Sequence, residues 1–343
     1  MQKQPYSSYI KELRKIIQSP VLFSHFSRGG TTLVCGNLVF YLIPIQYSEP
    51  SKRLSLVAKW SDGTQFFLKV NSYAKKIENE FKAHRLLEQY TERSFYVPKV
   101  LDFQQENLSG FFSDQYAWIV IEWVAGGNVF SDKPTHVELA AKTLAQINNI
   151  EIDLDLISGL FGNLPIQTIS ELKYTSRSGM QIDIEKAIQI SDDYLNLELT
   201  KAAELFSKHT MRFSLNLNHG DFHLNNLLSL QSSGKYISAV IDWEDINLEN
   251  PLYDLAHHLF LTENDLTDVF LNTYFRESRD LYSDFSCDEI EETIMAMFIL
   301  WVSRNLRWKS RQMTTDSLKQ YYYPIINRKL AMIRDIPWKK IIS

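Results

Sequence analysis

The spacing of apolar residues divides the chain into a first third rich in strands and a remainder rich in helices. Apolar residues at helical spacing predict an amphipathic helix over residues 5–18 and another helix over residues 74–90. Between them, Gln65–Val70 predicts a strand that carries one charged residue, Lys69. A lysine in so apolar a strand needs a partner or solvent, because burying an unpaired ammonium is costly.

A break in this pattern predicts a hinge. Residues 116–124 form an apolar run that ends at Ala-Gly-Gly, and the sequence beyond it favours helices, apart from one hairpin region. Ser-Cys-Asp-Glu at residues 286–289 has the form of a capping box that opens a long apolar helix. We therefore expect an α+β fold with two lobes, in which residues 1–123 are small and β-rich and residues 124–343 are larger and mostly helical.

Composition narrows the class of protein. The chain has 343 residues, of which 45% are hydrophobic, so it can bury a core large enough for two lobes. A net charge of −5 argues against nucleic acid as a partner. The N-terminus lacks an apolar signal core and no apolar run reaches the length of a membrane helix, so we expect a cytoplasmic protein without membrane contact. Cys35 and Cys287 match no metal-binding spacing, so we expect both to pack as small apolar side chains. A monomer and a dimer both remain open.

The candidate chemistry lies in a polar loop and in the strand that follows it. Asn226 comes five positions after Asp221, and Asp242 ends an apolar run sixteen positions after Asn226. Kinase-type phosphoryl transfer needs one carboxylate to accept a hydroxyl proton, and an amide oxygen and a second carboxylate to hold Mg²⁺. Taken singly, these residues are equally well explained as loop residues that turn the backbone. The three together, flanked by His219-Gly220 and Trp243, favour the catalytic interpretation.

The form H-G-D-x-x-x-x-N followed by I-D-W resembles the aminoglycoside phosphotransferase and choline kinase family of small-molecule kinases. The resemblance is strongest over residues 215–259. It implies a bilobal protein-kinase-like fold, ATP as phosphoryl donor with GTP not excluded, Mg²⁺, and a small-molecule hydroxyl as acceptor. By resemblance, Asp221 is the catalytic residue, and Asn226 and Asp242 are the metal ligands.

The resemblance also assigns the residues that contact the nucleotide phosphates. Lys69 would contact the nucleotide phosphates, and Glu80, in a helix similar to the family's E-x-x-A-x-R-L-L, would pair with it. Glu78 is the rival partner, but helical phase places Glu80 with the apolar face of the helix. Alternatively, Lys69 lies at a strand edge and extends its ammonium into solvent, and Glu80 is a solvated charge on the surface of the helix.

The remaining nucleotide contacts are matched less well. The loop around Gly30 lacks the pattern G-x-G-x-x-G, but its amides are expected to approach phosphate. Adenine would lie against the backbone of Glu122 and Val124.

Three further residues are expected to support the catalytic loop. His219 is interpreted as structural, and His223 either lines the phosphate site or packs. Asp254 would hydrogen-bond the backbone of the loop, although a plain helix N-cap is the competing interpretation.

The acceptor is not specified by these motifs. Glu244, Asp245 and Glu249 follow Asp242 and would favour a cation, or else form a solvated face. The I-D-W-E and D-L-A motifs favour an aminoglycoside-like acceptor, with choline or amino-alcohol, sugar and amino-acid kinases as alternatives. The loop at residues 159–165 either closes over substrate or connects helices. A protein kinase is disfavoured because no A-P-E segment is present. A non-catalytic nucleotide-binding module is disfavoured because every expected ligand has a candidate.

Overall fold

Six strands pair into one antiparallel sheet in the computed structural model, in the order β1-β2-β3-β4-β6-β5. Their bounds are Thr32–Cys35, Leu38–Leu42, Arg53–Trp60, Gln65–Asn71, Val100–Glu106 and Tyr116–Glu122 for β1 to β6. Successive side chains of a strand point to opposite faces, so β3 and β4 supply two different surfaces. Leu54 and Leu56 of β3 lie in a buried core with Leu13 and Ile17 of helix α1, which spans Tyr6–Ile17.

The opposite face of the sheet carries Lys69 and packs against helix α2, Ala74–Leu87. Ile77 of α2 is buried with Ile119 and Ile121 of β6, and Phe67 packs against them. This apolar contact fixes the side of α2 that meets the sheet, and Glu80 lies one turn beyond Ile77 on that buried side.

The structure describes residues 6–18, 22, 25–26, 28–43, 53–71, 74–90, 93–106, 116–151, 183–187, 189, 195–197, 199–201, 204, 215–232, 235–262 and 265–342. The chain divides into two compact units. The first contains Met1–Thr91, Tyr96–Ala125 and Ala239–Asp245, and the second contains Glu92–Phe95, Gly126–Ser238 and Ile246–Ser343. The expected lobe boundary between residues 123 and 124 stays a prediction.

The second unit is mostly helical. Its strands are β7 Gly127–Asn128, β8 Asn216–Asn218, β9 Leu227–Ser232, β10 Lys235–Val240, whose end passes into the first unit, and β11 Asn247–Glu249. Strands β10, β9 and β7 form one small sheet, and β11 pairs with β8 in another. Its helices include α3 Pro134–Asn148, α4 Leu252–Leu261, α5 Thr267–Glu277, α6 Cys287–Ser310, α7 Tyr323–Arg334 and α8 Trp338–Ile342. A short helical turn at Thr315–Ser317 and a π-helical turn at Leu318–Tyr322 lead into α7.

The predicted capping box is present at the start of α6. The Ser286 side chain accepts from the backbone N–H of Glu289, whose carboxylate accepts from the backbone N–H of Ser286. Within the described part of the chain, no helix combines the length and the apolar character that crossing a membrane requires.

Candidate functional site: two groups of polar residues

In the first unit, Lys69 lies between two carboxylates. Its Nζ atom is 2.9 and 2.7 Å from the two carboxylate oxygens of Glu80, and 2.5 Å from Oδ1 of Asp242. Burial alone would lower the pKa of Lys69, but the charges of Asp242 and Glu80 outweigh it, so the pKa is raised and the ammonium stays charged. Burial raises the pKa of Glu80 although Lys69 opposes the shift. The strand therefore presents a permanent, oriented positive charge.

The rival partner of Lys69 is engaged elsewhere. Glu78 lies 2.5 Å from Nζ of Lys82 and 3.5 Å from Nζ of Lys75 on its own helix. Glu80 is buried because it lies on the side of α2 that carries Ile77.

Asp242 has a backbone conformation that a residue with a side chain rarely adopts. Its φ is 65°, in the left-handed region. Such strain persists only where the surroundings enforce it and is concentrated at functional sites. Trp243, which follows, is fully buried and donates from Nε1 to the carbonyl oxygen of Val240 at 3.1 Å. The buried indole thus anchors the turn that presents Asp242.

Carboxylates gather around Asp242. Within the described residues, one group could hold a metal ion, formed by Glu80, Asp242 and Glu244 with one oxygen each within 4.8 Å of one another. Carboxylate oxygens are the ligands that hard cations such as Mg²⁺ prefer, so the donor set fits a divalent cation. Of these three, the sequence interpretation had assigned only Asp242 to the metal.

In the second unit, Asp221 lies on a loop between β8 and β9. Gly220 has a φ of 86°, which glycine adopts without strain, so the chain turns sharply beside Asp221. Asn226 donates from Nδ2 to the carbonyl oxygen of Asp221 at 2.9 Å, which leaves its amide oxygen for another partner. Burial alone would raise the pKa of Asp221, but its hydrogen bond with His223 and the neighbouring imidazoles hold the pKa below its usual range. Asp221 is therefore ionised at neutral pH.

The loop is held by a buried carboxylate behind it. Asp254 on α4 accepts from the backbone N–H of His219 at 2.6 Å and of Gly220 at 3.0 Å. The N-cap of α4 is Pro251, so Asp254 does not cap the helix. His219 is fully buried, and its Nδ1 accepts from the backbone N–H of Asp221 at 3.3 Å. These contacts fix the backbone that leads into Asp221.

The profile of the phosphotransferase enzyme family matches residues 51–286, more than half of the sequence. The chain belongs to this family. The predicted family is thereby confirmed, and with it the class of enzyme. A comparison with curated protein sequences gives no significant match.

Solved structures of other phosphotransferases have the same fold. An amicoumacin kinase in complex with AMP-PNP and Ca²⁺ superposes with a TM-score of 0.57 at 13% identity, over 97% of each chain. An aminoglycoside 2′-phosphotransferase mutant in complex with GDP gives a TM-score of 0.56 at 14% identity, over 86% of this chain and 90% of the other. An ethanolamine kinase from Plasmodium vivax gives 0.53 at 14%, over 89% and 84%. The likeness confirms the predicted kinase-like fold of this phosphotransferase.

Of the residues expected to contact the nucleotide, Gly30 is placed less favourably. Gly30 precedes β1, which is the edge strand of the sheet and is separated from β4 by β2 and β3. Its backbone N–H donates to the carbonyl oxygen of His25 at 3.1 Å, so it is already engaged in a turn. Neither observation supports a phosphate contact there. Glu122 ends β6 and donates from its N–H to the carbonyl oxygen of Lys99, and Val124 lies in the irregular segment that follows.

Of the acidic residues after Asp242, Glu244 is buried and Asp245 is half-exposed. The side chain of Glu244 is 5% exposed, and its Oε1 lies 2.9 Å from Nζ of Lys76 and 3.1 Å from Nη1 of Arg53. Asp245 also contacts Lys76, at 3.1 Å. These ion pairs compensate the charges of Glu244 and Asp245, and a cationic acceptor stays a prediction. Residues 159–165, considered for the acceptor side, lie outside the described residues.

Sequence reasoning placed His223 by the catalytic loop but missed His257, which also lies next to Asp221. His257 on α4 has Nε2 3.7 Å from Oδ1 of Asp221, and His223 has Nε2 3.5 Å from Oδ2. The His257 ring stacks on Trp301 of α6 with centroids 3.7 Å apart, and burial lowers its pKa to about 3. Asp221 thus lies between two imidazoles, of which His257 is uncharged at neutral pH. The pair His257-His258 was visible in the sequence, but its distance from Asp221 depends on tertiary packing.

Proposed function

We propose that this phosphotransferase moves the γ-phosphoryl group of ATP to a hydroxyl group of a small molecule. The observation that carries the proposal is the charged ammonium of Lys69, buried between Glu80 and Asp242. A permanent positive charge held in one place stabilises phosphate oxygens without reorganising during the reaction. The AMP-PNP complex of the amicoumacin kinase supports a nucleotide donor, and the GDP complex of the aminoglycoside enzyme keeps GTP open.

Each polar group would have a separate task. Lys69 would bind phosphate oxygens, and Glu80 would hold Lys69 in position. Asp242 and Asn226 would hold Mg²⁺, which when bound neutralises charge on the phosphates. The carboxylate donors around Asp242 fit such a cation.

Asp221 would orient the acceptor hydroxyl and take its proton. Because the pKa of Asp221 is held low, the carboxylate is ionised but weakly basic. It would therefore accept the proton late, once bond formation to phosphorus has made the hydroxyl more acidic, as in a loose transition state. Asp254 and His219 would keep the loop in the required conformation.

An aminoglycoside-like compound is the proposed acceptor, among the kinds of acceptor for which related enzymes are named. An aminoglycoside-like acceptor agrees with the I-D-W-E and D-L-A motifs, and related folds include enzymes named for an aminoglycoside, a macrolide and ethanolamine. The experiment is a panel of such hydroxyl compounds with Mg-ATP, in which ADP release and product mass are measured.

The variant Asp221→Asn decides between catalysis and mere nucleotide binding. We expect it to bind Mg-ATP like the unsubstituted protein and to lose at least about a hundredfold in turnover, because an amide cannot accept the proton. Turnover retained in this variant would assign the base elsewhere. An absence of phosphorylated product throughout the panel, with ATP bound, would favour a non-catalytic module.

A further inference from the structure

Arg53 lies on the same face of the sheet as Lys69. Strands β3 and β4 pair so that Ser55 is opposite Lys69 and Arg53 is opposite Asn71. Positions two apart on a strand share a face, so Arg53 and Lys69 are diagonal neighbours on one surface. Leu54, between Arg53 and Ser55, points to the other face and is buried in the core with α1. The register therefore places a second cation beside the buried lysine.

The two cations divide the carboxylate of Asp242 between them. Lys69 contacts Oδ1 at 2.5 Å, and Nη2 of Arg53 lies 3.6 Å from Oδ2. The second terminal nitrogen of Arg53, Nη1, donates to Oε1 of Glu244 at 3.1 Å. Glu244 thus anchors one edge of the guanidinium, while the remaining edge faces the same carboxylate as Lys69.

Arg53 is also the more accessible of the two. Its side chain is 22% exposed, whereas that of Lys69 is 4% exposed. A guanidinium offers donors in a planar fork, so it can keep one partner and exchange another. If Asp242 turns toward a divalent cation, Nη2 of Arg53 is released while Nη1 stays on Glu244.

We propose that Arg53 is a second phosphate-binding side chain of the nucleotide site, held in place by Glu244. The proposal rests on the proposed function, since it needs Mg-nucleotide to bind near Asp242. In the free protein, Arg53 and Lys69 neutralise Asp242. In the nucleotide complex, both turn their positive charge to phosphate oxygens, so Arg53 selects for the polyphosphate part of the nucleotide.

The test compares Arg53→Gln with Lys76→Gln. Both residues bind Glu244, but Lys76 contacts Asp245 and not Asp242 among the described contacts, so its loss reproduces the structural part of the change. Calorimetric titration with ATP and with AMP, each with Mg²⁺, gives the affinities. We expect Arg53→Gln to weaken ATP binding about tenfold to a hundredfold, the range for one hydrogen bond to a charged group. AMP binding in Arg53→Gln and ATP binding in Lys76→Gln should change less than about twofold.

The outcomes separate the two proposals. If the unsubstituted protein does not bind Mg-ATP, the proposed function fails. If it binds and Arg53→Gln binds ATP equally well, or Lys76→Gln loses as much, then Arg53 is only structural. Should Arg53→Gln fail to fold, Arg53→Lys keeps the charge but has no fork that can bind Glu244 and phosphate together. An intermediate loss of ATP affinity is expected for that variant, and unchanged affinity would overturn the proposal.

Discussion

Lys69 is almost completely buried and keeps its charge because carboxylates surround it. Replacing it with methionine would leave Glu80 buried next to Asp242 without a counter-charge, and we expect Lys69→Met to cost about 3 kcal/mol of unfolding free energy. The double variant Lys69→Met with Glu80→Gln should recover a large part of this loss, because it removes the unpaired charge as well. Urea unfolding of the unsubstituted protein, of the single variants Lys69→Met and Glu80→Gln, and of the double variant measures the coupling. Simply additive losses would show that the two side chains are not a unit.

Single residues were predictable where local periodicity decides their direction. Helical phase alone placed Glu80 on the buried side of α2, and the one lysine in an apolar strand indicated Lys69. Arg53 was missed, and Glu244 was predicted only as part of an acidic group, because the contact between them depends on the pairing of β3 with β4 and on the turn after β10. Asp254 was predicted through the family motif, since its contacts lie 34 and 35 positions away. No local pattern in the sequence encodes such a distance.

At the scale of elements, the capping box of α6 stabilises the start of the helix through contacts within four residues, Ser286 to Glu289. Removing the Ser286 hydroxyl leaves the N–H of Glu289 without its side-chain acceptor. We expect Ser286→Ala to cost about 1 kcal/mol in urea unfolding. Thr314→Ala tests a second cap of the same kind, because Thr314 accepts from the backbone N–H of Ser317 at the start of the helical run that continues into α7, and it should cost a similar amount. Unchanged stability in both variants would show that these side-chain caps do not stabilise the helices.

Elements were predicted well where turns and caps are local, and less well in the first strands. The strand containing Lys69, the helix α2 and the strand β6 all lie within a few residues of their predicted bounds. Glycines suggested Arg28-Gly29-Gly30 as the loop near the nucleotide, but β1 and β2 place it at the far edge of the sheet. Strand order is set by long-range pairing, and no glycine pattern specifies it.

At the scale of the whole molecule, buried carboxyl groups and buried imidazoles have opposite effects on how the unfolding free energy depends on pH. Burial raises the pKa of Asp254 to about 7, so its contribution to stability is full below its unfolded pKa of about 4 and is lost as pH rises through about 7. Burial lowers the pKa of His258 to about 3, so its contribution is full above its unfolded pKa of about 6.5 and is lost as pH falls through about 3. Glu80 shifts in the direction of Asp254, and His257 in that of His258. Between pH values of about 4 and 6.5, these effects cancel in part.

Two substitutions should change the slope of the unfolding free energy against pH in opposite directions. Asp254→Asn removes a group that destabilises as pH rises, so the unfolding free energy should gain a slope of up to about +1.4 kcal/mol per pH unit relative to the unsubstituted protein. His258→Phe removes a group that destabilises as pH falls and can keep the stacking on Phe270, whose ring centroid lies 4.0 Å away. Its slope should change by a similar amount with the opposite sign. Urea midpoints between pH values of about 4.5 and 6.5 give the slopes, which are independent of any constant loss of stability. Parallel curves for all three proteins would show that neither group changes its protonation on unfolding in this range.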